Sequence, residues 1–283
     1  MNEGVLLFAL NNDEIDYTKL SIFCAKQVKK YLNKPVALAT DNVNYFNSLN
    51  DKDLYYIDHV IDINQHDIKS IDQTRIYSDG SLTTKVLPWK NSIRVFSYQL
   101  TPFDKTLVID SDFLMFNSDY NCCFNQRNDF LIHKKSVDLS FYRKFNTLKR
   151  VSDKTIDFFW ATVFYFEKNN KNQLFFDLLS HILDNWDYYR FLYNIESKTF
   201  RNDYAFSIAI HILNGFNQGD LFPSFNQPLY YTLDKDLVYK INESGISLLI
   251  EKENRSGEYT FLNVKEMNVH VMNKFSLMRL INE

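Results

Sequence analysis

Thr106-Leu107-Val108-Ile109-Asp110-Ser111-Asp112-Phe113-Leu114 is the stretch on which the fold turns. Its apolar run, Leu107-Val108-Ile109, is too short for a helix and reads as a buried strand. The strand delivers two carboxylates, one residue apart, to its C-terminal end, and that edge is where open α/β sheets bind ligands. Two Asp oxygens there suit a hard divalent cation, Mn²⁺ or Mg²⁺, which keeps open positions for the oxygens of a diphosphate. The competing reading is that Asp-x-Asp after a strand is turn and helix-cap chemistry. The tripeptide alone does not separate the two.

Working outward, the N-terminal half alternates strand and helix. Residues 5–10 form an apolar strand ending in Asn11-Asn12. Asp16 is placed to cap a helix from Tyr17, with Leu20, Phe23, Cys24, Val28, Tyr31 and Leu32 on one stripe, and Pro35 closes it. Residues 36–39 make a second strand, followed by Thr40-Asp41-Asn42, and residues 57–63 alternate as a third. A further helix is expected to start at Pro88, a residue favoured at the first helical position, to carry Ile93, Phe96 and Leu100 inward and to stop at Pro102. Beyond the Asp pair, residues 158–166 read as an aromatic buried strand. Leu174, Phe175, Leu178, Leu179, Ile182 and Trp186 follow at helical spacing. Phe206, Ala209, Ile210 and Leu213 form a last stripe after Arg201-Asn202-Asp203. The stretches 64–81 and 215–228 read as extended loops, which at that length usually serve a site or move.

Composition bounds the class. A chain of 283 residues buries a substantial core, and one elaborated α/β domain is expected rather than two. The net charge of −3 gives no broad basic patch and argues against tight nonspecific nucleic-acid binding. No apolar run has the length of a membrane span, and the first strand lacks the basic start of a signal peptide. Three cysteines, two adjacent at Cys122 and Cys123, make neither a disulfide framework nor a zinc pattern, so a reduced cytoplasm is the expected setting.

The succession of strand, helix, strand with Asp41, then Lys90 and Arg94 on a helix, then Pro102-Phe103-Asp104-Lys105-Thr106 running into the Asp pair, resembles the GT-A glycosyltransferases. It is nearest in style to their glycogenin and lipopolysaccharide-galactosyltransferase branch. The chain also resembles uncharacterised glycosyltransferase-like proteins of tailed phages, through Trp89-Lys90-Asn91, Phe200-Arg201-Asn202-Asp203-Tyr204-Ala205-Phe206 and Val269-His270-Val271-Met272-Asn273-Lys274. The resemblance implies an α/β fold with a GT-A, Rossmann-like mixed sheet flanked by helices. It also implies one domain over residues 1–283, with a nucleotide-sugar half (1–115) and an acceptor-side half (116–283) that ends in a metal and phosphate segment. It further implies a divalent metal on Asp110, Asp112 and His270, with Lys274 neutralising the diphosphate of a uridine donor. Ala9, Asn11, Asp41, Arg75, Lys90 and Arg94 then face the nucleotide, and Asp203 lies beside the anomeric carbon of a reaction that retains configuration. The acceptor is left open among a glycan, a protein and a hydroxymethylated DNA base, and the setting is the host cytoplasm if a phage encodes the chain. Two departures stand out. Asn273-Lys274-Phe275 replaces the branch's Gly and Lys-Pro-Trp ending. Trp160-Ala161-Thr162 replaces an Asn-x-Gly, leaving Thr162 or the Trp160 indole to meet sugar hydroxyls.

Each residue also has a plainer reading. His270, between Val269 and Val271, fits a core histidine, and Asp203 fits a helix N-cap. Asp41 fits a turn, and Arg75 a solvated loop residue. Lys90 and Arg94, four apart, share a helix face that can point at water. Trp186, Tyr188, Tyr189, Phe191 and Tyr193 fit packing better than a sugar platform. Arg143, Lys144, Lys149 and Arg150 read as solvated surface and as the local place to look for a polyanionic acceptor. Two other functions stay in view: a noncatalytic binding module on the same fold, and a nucleotidyltransferase. The latter usually has a Gly-rich phosphate loop where Asn11-Asn12-Asp13 stands here.

Overall fold

In the computed structural model, which describes residues 2–140, 143, 149–152 and 156–281, the apolar Glu3–Ala9 strand lies inside a six-stranded sheet. The order is His59–Asp62, Val36–Thr40, Glu3–Ala9, Lys105–Ile109, Trp160–Glu167, Phe130–His133. The first four strands are parallel, and the last two join antiparallel. The fold is therefore mixed α/β. Val36–Thr40 and nearly all of Glu3–Ala9 and Lys105–Ile109 are buried, as expected of parallel strands covered on both faces.

The Tyr17–Tyr31 helix begins where Asp16 accepts a hydrogen bond from the Lys19 amide at 3.0 Å. It buries Leu20, Cys24 and Val28 and ends before Asn33, whose φ of 51° is left-handed. The Asn170–Asp184 and Asn202–Leu213 helices pack on each other, and the latter also packs on Trp160–Glu167. Phe164 and Phe206 meet at 4.8 Å between centroids, and Phe130 and Phe175 at 4.9 Å. Each such ring contributes about 1.5–3 kcal/mol by burial.

A second sheet decides the site. Its four strands are ordered Phe113–Leu114, Val269–Val271, Leu229–Thr232, Ser136–Asp138. His270 is in register with Phe113, and the Val271 amide donates to the Asp112 carbonyl at 3.0 Å. The C-terminal segment is thereby laid along the residues that follow the Asp pair. A three-stranded meander, Leu237–Asn242, Gly245–Glu251 and Tyr259–Lys265, was not read from the sequence. Gly245 is required there because a Cβ would collide with the Val264 carbonyl oxygen.

Several expectations need correction. Pro88 ends an edge strand instead of opening a helix. Thr84–Pro88 pairs with Thr74–Ser78, and Pro88, having no N–H, is tolerated at such an edge. The helical segment starts later, as a 3₁₀ turn over Asn91–Phe96 continuing into Ser97–Leu100. The Thr74–Ser78 strand lies inside a stretch expected to be loop. Leu174 is exposed instead of core. Arg143 is buried instead of solvated, forked between Asp138 and Asp236. Lys149 and Arg150 are exposed, and Lys144 lies outside the described residues. Among the described residues no helix is long and apolar enough to cross a membrane.

Candidate active site

The Lys105–Ile109 strand stops in a tight turn, with the Asp110 amide bonded to the Thr162 carbonyl and the Phe113 amide to the Asp110 carbonyl, both at 3.0 Å. That turn presents both carboxylates to one side. Asp112 is 2 % and Asp110 9 % exposed. His270 Nε2 lies 3.3 Å from Asp112 Oδ2 and 3.8 Å from Asp110 Oδ2. Lys274 Nζ sits 2.6 Å from Asp112 Oδ2, and the Arg94 guanidinium pairs with Asp110 while donating to the Ala161 carbonyl at 3.2 Å.

Two buried carboxylates this close require compensation, because an unpaired buried charge is strongly destabilising. Burial pushes the Asp112 carboxyl upward, but Lys274 and His270 overcome that and hold it well below the usual carboxylate range. The ligating atoms of Asp110, Asp112 and His270 all fall within 4.8 Å of one another. Two ligands each ~2.1 Å from one ion are up to ~4 Å apart, so a divalent ion fits between these atoms with small shifts. Two carboxylate oxygens and an imidazole suit Mn²⁺, and Mg²⁺ less well, since imidazole is the softer ligand.

The centre opens onto a cleft. Phe8, Leu10, Tyr17 and Trp89 line it together with Trp160, Thr162, Arg201, Asn202 and Asp203. Arg75, Lys90, Arg94 and Lys274 also line it. Arg75 is not a solvated loop residue. Its guanidinium lies 5.1 Å over the Trp89 ring and 5.4 Å over Tyr77, without a carboxylate partner among the described residues. Lys90 Nζ is 2.6 Å from Asp41 Oδ2, which sets Asp41 behind the wall and not on it. Ala9 is fully buried in the sheet. Asn11 is occupied at the start of the first helix, accepting from the Thr18 amide at 3.0 Å and donating to Asp16 at 3.2 Å. Neither side chain lines the cleft.

Asp203 lies in the first turn of its helix, with Arg201 at the N-cap position. Its two oxygens accept from the Ala161 amide at 2.9 Å and from Arg201 Nη2 at 2.8 Å. A carboxylate held in this way suits fixed negative charge better than proton transfer. Asn202 is a site residue that sequence reasoning missed. It is 4 % exposed, its Nδ2 donates to the Asn91 carbonyl at 2.8 Å, and its Oδ1 has no partner among the described residues. The Trp160 indole N–H is also unpartnered among the described residues. The available signal for Asn202 was its place in the first turn of a helix whose N-terminus faces the strand ends. Trp186, Tyr189 and Tyr193 are buried, as packing requires, but Tyr188 and Phe191 are exposed; none of the five lines the cleft.

No protein-family model and no curated protein sequence matches the chain. Among solved structures it is similar to an active-site mutant of LgtC, at 14 % identity and a TM-score of 0.45 over 76 % of this chain and 70 % of that one. It is similar to LgtC, a galactosyltransferase, in complex with donor and acceptor sugar analogues, at 13 % identity and a TM-score of 0.43 over 74 % and 70 %. The glycosyltransferase GlyE of Streptococcus pneumoniae TIGR4 matches at 13 % identity and a TM-score of 0.43, over 80 % of this chain and 46 % of its own.

Proposed function

We propose that the chain is a metal-dependent glycosyltransferase that moves a sugar from a uridine diphosphate sugar to an acceptor hydroxyl. The observation that carries the proposal is the convergence of Asp110, Asp112 and His270, with Lys274 against Asp112, on the wall of a cleft. Asp110, Asp112 and His270 would hold Mn²⁺ or Mg²⁺, whose chemistry is Lewis-acid stabilisation of a departing diphosphate. Lys274, Arg94 and Arg75 add positive charge along the same wall, so the leaving group needs no protein acid. The apolar and aromatic side chains of Phe8, Leu10 and Tyr17 accommodate the base, and Asp41 acts through Lys90.

On the same cleft wall Asp203 supplies negative charge where the sugar becomes cationic, and Arg201 and the Ala161 amide fix its orientation. This favours retention of configuration, because an inverting enzyme needs a carboxylate free to take the acceptor proton. The Trp160 indole N–H and Asn202 Oδ1, which lack partners among the described residues, are suited to sugar hydroxyls. A net charge of −3 favours a glycan or protein acceptor over DNA.

The test is incubation with a panel of UDP-, GDP- and CMP-sugars, read by mass spectrometry. The expected result is slow hydrolysis of a UDP-sugar that requires Mn²⁺ and stops with EDTA. Metal-dependent UDP binding with no turnover of any sugar would instead identify a noncatalytic nucleotide-binding module.

A further inference from the structure

Both metal-facing carboxylates already carry a counter-ion from the chain. Arg94 pairs with Asp110, and Lys274 Nζ lies 2.6 Å from Asp112 Oδ2, the same oxygen that His270 Nε2 approaches to 3.3 Å. The two cations differ in how they are held. Arg94 has a second anchor in the Ala161 carbonyl, whereas Asp112 is the one acceptor of Lys274 among the described residues, and the Lys274 side chain is 11 % exposed. A divalent ion bound through Asp112 Oδ2 and His270 Nε2 must sit ~2.1 Å from each. An ammonium 2.6 Å from that same oxygen cannot stay beside it without like-charge repulsion at short range. Displaced, the ammonium has no free anion in the described wall, since Asp110 is paired with Arg94 and is itself a ligand of the ion, and Asp203 is occupied by Arg201 and the Ala161 amide.

From this we infer that Lys274 is an internal counter-ion that suppresses metal binding to the nucleotide-free protein and is transferred to the diphosphate when donor binds, so that metal and diphosphate bind as a coupled pair. The inference rests on the metal and donor roles proposed above. Its consequence runs against the usual effect of deleting a binding-site residue. Removing the Lys274 charge strengthens the nucleotide-free metal site while weakening the diphosphate site. By linkage, the factor by which diphosphate improves metal affinity equals the factor by which metal improves diphosphate affinity.

The experiment measures Mn²⁺ affinity by electron paramagnetic resonance of the free ion, with wild type and Lys274→Met, each alone, with UDP and with inorganic pyrophosphate. Wild type is expected to bind Mn²⁺ weakly alone and about tenfold or more tightly with either anion, a coupling of ordinary allosteric size. Lys274→Met is expected to bind Mn²⁺ about tenfold more tightly than wild type when no anion is present, and to lose most of the coupling. Lys274→Gln, which also removes the charge, is expected to tighten anion-free metal binding in the same way and serves as the readout if the Met variant does not fold, while Lys274→Arg, which keeps the charge, retains weak metal binding. Unchanged or weaker anion-free Mn²⁺ affinity in a folded Lys274→Met protein overturns the counter-ion role. Coupling to UDP but not to pyrophosphate also overturns it, because then the uridine and not the charge is responsible, while the donor reading stands. No Mn²⁺ binding under any condition overturns both.

Discussion

Two buried clusters of cations and carboxylates sit at opposite edges of the four-stranded sheet, and they differ in what they leave unsatisfied. At the Ser136–Asp138 edge, Arg143 donates to both oxygens of Asp138 and both of Asp236 at 2.7–2.8 Å, with side-chain exposures of 3 %, 6 % and 0 %. Asp236 also takes the amides of Leu233 and Glu251. At the Phe113–Leu114 edge, Asp112 meets Lys274 and His270, His270 Nδ1 has no partner among the described residues, and the group opens onto the cleft. The first cluster is saturated and closed, which makes it a clamp. The second has coordination left over and an open side, which makes it a receptor. Burial and opposite charge alone do not distinguish a structural ion network from a functional one; the remaining hydrogen-bonding capacity does.

The largest expected effect would break the comparison on the clamp side. Arg143→Met leaves two buried carboxylates facing each other and should cost about 3–5 kcal/mol, measured as a lowered urea midpoint with an unchanged slope. A loss below ~1 kcal/mol would mean the clamp is not structural. Asp112→Asn tests the receptor side. It should reduce metal-dependent donor turnover on the order of 10²-fold or more while the melting curve still reports a folded protein. Turnover at the wild-type rate would remove Asp112 from the metal site.

Acid titration separates the two clusters from a third buried group. His133 is fully buried, and burial pushes its imidazole down to about 3. The unfolded chain therefore takes a proton that the folded chain refuses between about pH 6.5 and 3, so stability falls as pH falls through that window. The slope approaches about 1.4 kcal/mol per pH unit. Asp112, held low in the folded state, loses its contribution only below the ordinary carboxylate range, as pH drops past ~4. Denaturant melts of wild type and His133→Gln between pH 7 and 4 check this, and an unchanged slope in the variant would assign the loss elsewhere. The smallest effect is expected from Lys90→Met. Its pair with Asp41 is substantially exposed, so stability should change by less than about 1 kcal/mol, with a modest loss of UDP affinity.

The sequence was most legible where the signal is local. The Asp110 strand, the Asp16-capped helix and the first two strands follow from short apolar runs and a cap. Pro88 was misread because the trait that suits a first helical turn, a missing N–H, equally suits the end of an edge strand. Arg143 was misread because Asp236, one of its two partners, lies 93 residues away and is brought to it only by tertiary structure. The proximity of His270 to Asp112 depends on strand register across more than 150 residues, so no local pattern contains it, and family resemblance had to suggest it. The same register changes how the C-terminus should be tested. Deleting the chain from Val269 would remove a strand between Leu229–Thr232 and Phe113–Leu114, so His270→Ala is the cleaner variant for metal affinity.

The place where a metal binds is the most direct test of the proposed site. Anomalous diffraction at the manganese edge, from crystals grown with Mn²⁺ and UDP, should show one strong peak bounded by Asp110, Asp112 and His270. The bonds should be ~2.0–2.2 Å long, with diphosphate oxygens completing the shell. A peak elsewhere, or UDP bound in the cleft with no ion between these three residues, would contradict it.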